Sequence, residues 1–133
     1  EMTGLRPLAL LCERLKLPNE HRALAEIVCR EHLNVHRFDE LHASTVHDLI
    51  ARCDGFRKPV RIAQLGLTCE ADKRGRLGFC ESDYPPRIHL DVAHRAALAV
   101  SARSLDLSGL DGDAIAHRLR DARIAAIKES LER

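Results

Sequence analysis

Apolar residues along this chain recur at three- and four-residue intervals almost throughout, and the strict alternation of a half-buried strand is nearly absent. The pattern predicts an all-α fold, a helical bundle. A first helix is expected from about Gly4 to Lys16, with Pro7 in its opening turn and Leu8, Leu11 and Leu15 along one face. Leu17-Pro18-Asn19 interrupts it, and Asn19 is the expected N-cap of a second helix over about Glu20 to His36. Leu24, Ile27 and Val28 give that helix an apolar flank, which Glu31 interrupts before Leu33 and Val35. After a connector at Arg37 to Ala43, Ser44 or Thr45 should cap a third helix carrying Val46, Leu49, Ile50 and Cys53. Asp54-Gly55 closes it. A fourth helix starts with Pro59 in its first turn and ends at Gly75, and on it Ile62, Leu65, Cys69 and Asp72 share a face. Gly75 to Pro86 is the longest expected loop. A fifth helix over about Arg87 to Ala102, a turn at Ser108 to Gly112 and a sixth helix over about Asp113 to Leu131 follow.

The loop at Gly78 to Pro86 separates residues 1–80, where four helices carry the bulkier apolar side chains, from residues 81–133. In the second stretch the apolar positions are often small, as at Ala93, Ala96, Ala97 and Ala99, so a thin two-helix tail needs a surface to dock on. With 45% hydrophobic and 31% charged residues in 133, the chain can bury a core and does not read as disordered. No stretch approaches the roughly 20 apolar residues of a membrane span, and no basic-then-apolar leader stands at the start. The five cysteines contain no C-x-x-C, which leaves a zinc framework unsupported and suits reduced thiols in a cytoplasmic core. Glu1-Met2 leads straight into a helix, as the cut edge of a longer protein would.

The net charge of +1 means that any affinity for nucleic acid must rest on a local patch. Such a patch is present. Between Gly55 and Arg76 six basic residues (Arg57, Lys58, Arg61, Lys73, Arg74 and Arg76) face two acidic ones (Glu70 and Asp72), in two clusters at either end of the fourth helix. At 1.5 Å per residue those clusters lie roughly 20 Å apart, a span that could meet two phosphates of a nucleic-acid backbone or simply be a solvated face. Four aromatics and no Trp argue against a base-stacking platform, so shape and phosphate recognition are expected.

Three smaller constellations could carry chemistry. His32 and His36, spaced i,i+4, project from one side of the second helix and could approach a metal or remain hydrogen-bonded imidazoles. The order H-E-x-x-H of a zinc protease is absent. Asp72 ends an apolar face, where a carboxylate either pairs with an arginine or looks into a metal pocket. Cys29 and His32 have the spacing of a thiol and its base, but nothing orients them as a nucleophilic pair, and a structural cysteine is the simpler reading. The Gly109-Leu110-Asp111-Gly112 turn offers backbone N–H groups to an anion, yet Asp111 and Asp113 would repel one.

Several blocks, in order along nearly the whole chain, resemble the bacterial multifunctional CCA proteins, the tRNA nucleotidyltransferases. They are Leu11-Cys12-Glu13-Arg14-Leu15-Lys16-Leu17-Pro18-Asn19-Glu20, Gly55-Phe56-Arg57-Lys58-Pro59, Glu70-Ala71-Asp72-Lys73-Arg74-Gly75-Arg76 with Gly78-Phe79, and Arg123-Ile124-Ala125-Ala126-Ile127-Lys128. The resemblance is to the C-terminal third of that family: residues 1–80 as the later part of an HD-type phosphohydrolase domain and residues 81–133 as a helical tail. It implies an enzyme that adds or repairs the 3′-terminal CCA of tRNA from CTP and ATP with Mg2+. It implies as well an HD-type domain linked to 2′,3′-cyclic phosphodiesterase, 2′-nucleotidase and phosphatase activities with Ni2+ or another divalent metal. His32 matches a functional histidine of that domain and Asp72 the acidic residue that closes its metal pattern, whereas Leu33 stands where a member of the family has Asp after the histidine.

The His-Asp doublet of the superfamily and the nucleotidyltransferase head would lie upstream of Glu1, and His47-Asp48 falls outside the matching blocks. The chain alone is therefore expected to hold an incomplete metal site, to bind no metal and to catalyse neither reaction. Its expected work is tRNA contact through the six basic residues and structural support. The helices absent from its front should leave an apolar face that favours a homo-oligomer. Two other readings fit: a freestanding metal phosphohydrolase built on His32, His36 and Asp72, and a non-catalytic helical interaction domain.

Overall fold

The computed structural model describes residues 4–132, so Glu1 and Met2, on which the expected cut edge rests, lie outside the described residues. The fold is an all-α bundle of six helices: α1 (Leu5–Arg14), α2 (Asn19–His36), α3 (Ala43–Arg52), α4 (Val60–Arg74), α5 (Pro85–Ala99) and α6 (Gly112–Leu131). Single 3-10 turns occupy Phe38–Glu40 and Ala102–Ser104, and no strand occurs among the described residues. None of the described helices is long and apolar enough to cross a membrane.

The helix ends depart from the expected caps. Asn19 lies inside α2 and Pro18 takes the N-cap; His42 takes that of α3, leaving Ser44 and Thr45 within the helix, and neither end has a side-chain cap. Asp111 does cap α6, its carboxylate accepting the Ala114 N–H at 2.9 Å. Pro85 and Pro86 are the first turn of α5 rather than loop residues, since the first turn has no intrahelical use for their missing N–H groups. At its other end α5 stops at Ala99, because Val100 and Ser101 turn extended and the hydroxyl of Ser104 bonds the Ser101 carbonyl instead.

Two helices end in the same six-residue motif without glycine in the left-handed position. Lys16 (φ 51°) follows α1 and Asp54 (φ 58°) follows α3. In each case the next residue's N–H reaches back to close the last turn, Leu17 to Cys12 at 3.0 Å and Gly55 to Ile50 at 2.9 Å. Gly55 is needed one residue later for space: a Cβ there would lie 2.6 Å from Ile62 Cγ1 and 3.0 Å from Ile50 Cγ2.

One core runs through both stretches of the chain. Phe38, Val46, Leu49, Ile50, Ile62 and Leu65 share it with Leu90, Ala93, Ala97 and Ile127. The small side chains of Ala93 and Ala97, both fully buried, let α5 pack closely against α4 and α6, and α6 also meets α3. Helices α5 and α6 therefore share the core of α3 and α4. The first helix behaves differently. Of the face expected from Leu8, Leu11 and Leu15, Leu11 is 44% and Leu15 53% exposed, because α1 packs mainly on α2 and only its Cys12 is buried. Glu31, the break in the apolar flank of α2, is buried but satisfied: Arg52 donates to both its oxygens (2.7 and 3.0 Å) and Asn34 donates at 2.9 Å.

Candidate functional site

A cleft of about 590 Å³ opens between α1, α2 and α4, walled by Leu8, Leu24, Val28 and Cys29 with His32 and Asp72 among its polar groups. The ends of α2 and α4 position these two. His32 Nδ1 donates to the Val28 carbonyl at 3.0 Å, since a carbonyl can only accept, and this leaves Nε2 as the unprotonated nitrogen of the neutral ring. His36, one turn on, meets His32 edge to face at a centroid distance of 6.0 Å. Its nitrogens are otherwise engaged. Nε2 donates to Asp72 Oδ2 at 3.1 Å, and Nδ1 accepts from the Tyr84 hydroxyl at 2.7 Å. Arg76 donates to the same Asp72 oxygen at 2.6 Å. Asp72 is held below its ordinary pKa by the Arg76 hydrogen bond first, and by His36 after burial has pushed the other way. Burial pushes Tyr84 upward, keeping its hydroxyl protonated and able to donate.

The spacing reading left Asp72 between an arginine and a metal pocket; it takes the arginine while also lining the cleft. The pairing of His32 with His36 as joint ligands does not form, because His36 turns to Asp72 and Tyr84. Among the described residues, no group of three or more His, Cys, Asp and Glu side chains is placed to hold a metal ion. His32 and Asp72, one imidazole and one carboxylate already shared by two donors, do not by themselves fit a divalent cation. Tyr84 went unread in the sequence, where the only hint was a lone tyrosine before two prolines. His47 and Asp48 lie elsewhere, bonded to one another at 3.0 Å, with Arg120 on both Asp48 oxygens.

The basic residues flank α4 as expected, but carboxylates thread between them. Asp54, just outside the window counted above, contacts Arg57 at 3.4 Å and Arg61 at 3.3 Å. Glu70 takes Arg74 at 3.0 Å and also Arg87, and Asp72 takes Arg76. Arg74 further donates to the Ser82 carbonyl at 3.2 Å, pinning the 75–84 connection to α4. Lys73 lies 3.7 Å over the Phe79 ring and Arg123 lies 4.0 Å over that of Phe56. Two of the four aromatics thus serve as seats for cations. Arg57 keeps 82% of its side chain exposed.

None of the five cysteines is in a disulfide; Cys12, Cys53 and Cys69 are buried, while Cys80 stands exposed, outside the expected core. Burial pushes the Cys53 and Cys69 thiols up to about 12, so they are inert at neutral pH.

No protein-family profile matches the chain, and no solved structure matches it. Curated proteins do. The chain is 58% identical over 130 residues to the multifunctional CCA protein of Xanthomonas campestris pv. campestris (strain B100), a match covering 98% of the chain and 32% of that protein. Identity is 57% over 127 residues with the multifunctional CCA protein of Stenotrophomonas maltophilia (strain K279a), covering 96% of the chain and 31% of the relative. It is 52% over 130 residues with that of Xylella fastidiosa (strain M12), covering 98% and 31%. The chain spans about a third of the length of these relatives. Over that third of their length, the multifunctional CCA proteins are what the chain is similar to.

Proposed function

We propose that the protein of which this chain is a part is a cytoplasmic enzyme that adds or repairs the CCA end of tRNA from CTP and ATP with Mg2+. The chain corresponds to its C-terminal helical part, which contacts tRNA and supports the fold and does not itself catalyse. The observation that carries this reading is the 58% identity across 98% of the chain to a protein named for CCA. The arrangement around α4 supports the tRNA contact. Its cations are exposed at both ends of one helix, and exposed ion pairs such as these are worth only about 0–1 kcal/mol, so phosphates can replace the carboxylates at little loss. His32 and Asp72 are where the chain would contribute to HD-type phosphohydrolase activities with Ni2+ or another divalent metal, and such a centre needs further ligands from outside the described residues.

Retention of tRNA on filters, measured at 50 and 200 mM salt, tests the contact. Affinity should fall steeply with salt, and a combined Arg57→Glu, Arg74→Glu change should weaken it further. Equal retention at both salts overturns the reading. A phosphodiesterase assay of the chain with Ni2+, Mn2+ or Mg2+ tests the rest: turnover that His32→Ala abolishes would make the chain an enzyme in its own right.

A further inference from the structure

Arg123, on α6, holds its guanidinium 4.0 Å over the centroid of the Phe56 ring. Phe56, in the connection between α3 and α4, is packed against the core, so the ring is supported from beneath. A planar guanidinium over an aromatic face is fixed in orientation as well as in place. Among the described residues no carboxylate pairs with Arg123: Asp48 gives both oxygens to Arg120 one turn earlier, and burial pushes the Arg123 pKa down. Its Nε is closed off from solvent without an acceptor, and the two terminal nitrogens are not closed off in that way.

The geometry points to Arg123 as a preformed phosphate-binding group, seated by Phe56 and presenting its terminal N–H groups to two oxygens of one phosphate. The chemistry suits this ligand. A guanidinium fork matches phosphate bidentately, and an arginine already oriented loses little freedom on binding. Arg57, the residue after Phe56, has an exposed side chain paired with Asp54 at 3.4 Å. The phosphate is either a phosphodiester of RNA, which rests on the tRNA reading above and extends the contact from α4 onto α6, or a free phosphate.

Two measurements on the full chain separate these sources. The first follows the arginine Nε–H signals by NMR while inorganic phosphate is added at constant ionic strength. The Arg123 signal, identified by its disappearance in Arg123→Lys, should move and saturate, whereas chloride should leave it in place. The titration itself is read on the unaltered protein, and Arg123→Lys serves only to assign the signal. The second compares tRNA retention across salt for the parent chain and Arg123→Gln. An RNA phosphate predicts that the log–log salt slope becomes shallower by about one. A phosphate-induced shift with an unchanged slope keeps the site and assigns it to free phosphate, even if the chain retains no tRNA at all. No saturable shift together with an unchanged slope overturns the proposal, leaving Arg123 as packing for Phe56.

Discussion

Helices α1 and α6 both lie against helices from the middle of the sequence, but they hold on in opposite ways. On α1 leucines recur at helical spacing, yet Leu10 is 60%, Leu11 44% and Leu15 53% exposed. On α6 the apolar positions are diluted with alanine, yet Ile127 is fully buried and the helix is capped by Asp111 and tied through Arg120 to Asp48. An apolar stripe states that a face suits burial. Whether it is buried depends on a neighbour, and within the described residues α6 has α3 and α5 while α1 has mainly α2.

This contrast can be broken at its strong end. Ile127→Ala removes fully enclosed methyl groups and should lower unfolding stability by about 2–5 kcal/mol. Leu11→Ala should stay within about 0.5 kcal/mol, as surface changes do. Urea unfolding of both variants measures the difference, and comparable losses would erase the distinction between the two helices. Gly55→Ala comes next. Its new methyl would press on Ile62 and Ile50 and cost about 1–3 kcal/mol, whereas Gly112→Ala, with open space around it at the start of α6, should be close to neutral. Thermal melts of the pair would show whether the α3–α4 connection is as tightly packed as these distances say.

The smallest expected effect is acid sensitivity on the well-packed side. His94 is buried and donates through Nε2 to the Gly55 carbonyl at 3.0 Å. Burial holds its pKa below the ordinary value, against the opposing pull of that hydrogen bond. The unfolded chain therefore takes up this proton first. Stability attributable to His94 is complete above about pH 6.5 and declines as the pH falls through that value towards the lower folded one. Melting temperatures at pH 7.5 and 5.5 should show a drop that His94→Gln diminishes; a drop of the same size in the variant would place the acid sensitivity in other groups.

The helices and breaks were legible in the sequence because period and punctuation are local properties. Gly75 ends α4 as read, Pro59 stands at its N-cap rather than in its first turn, and Asp54-Gly55 ends α3. The caps were not legible where no side chain does the capping, as at Pro18 and His42, and the left-handed turns fell to Lys16 and Asp54 where glycine would be the usual choice. His32 and Asp72 were singled out by helical spacing and then by resemblance to a family, and both line the cleft. Tyr84 is 48 residues from its partner His36, and no helical spacing reports such a contact. The charge of the basic patch was overstated for a simpler reason: Asp54 stands one residue before the counted window and holds both Arg57 and Arg61.

The string Tyr84–His36–Asp72–Arg76 joins the final turns of α2 and α4 to the entry of α5, each side chain bonded directly to the next. These three helix ends are consequently keyed to one another. None can slide without unseating the imidazole in the middle, so a molecule arriving beside His32 meets a wall already bolted from behind.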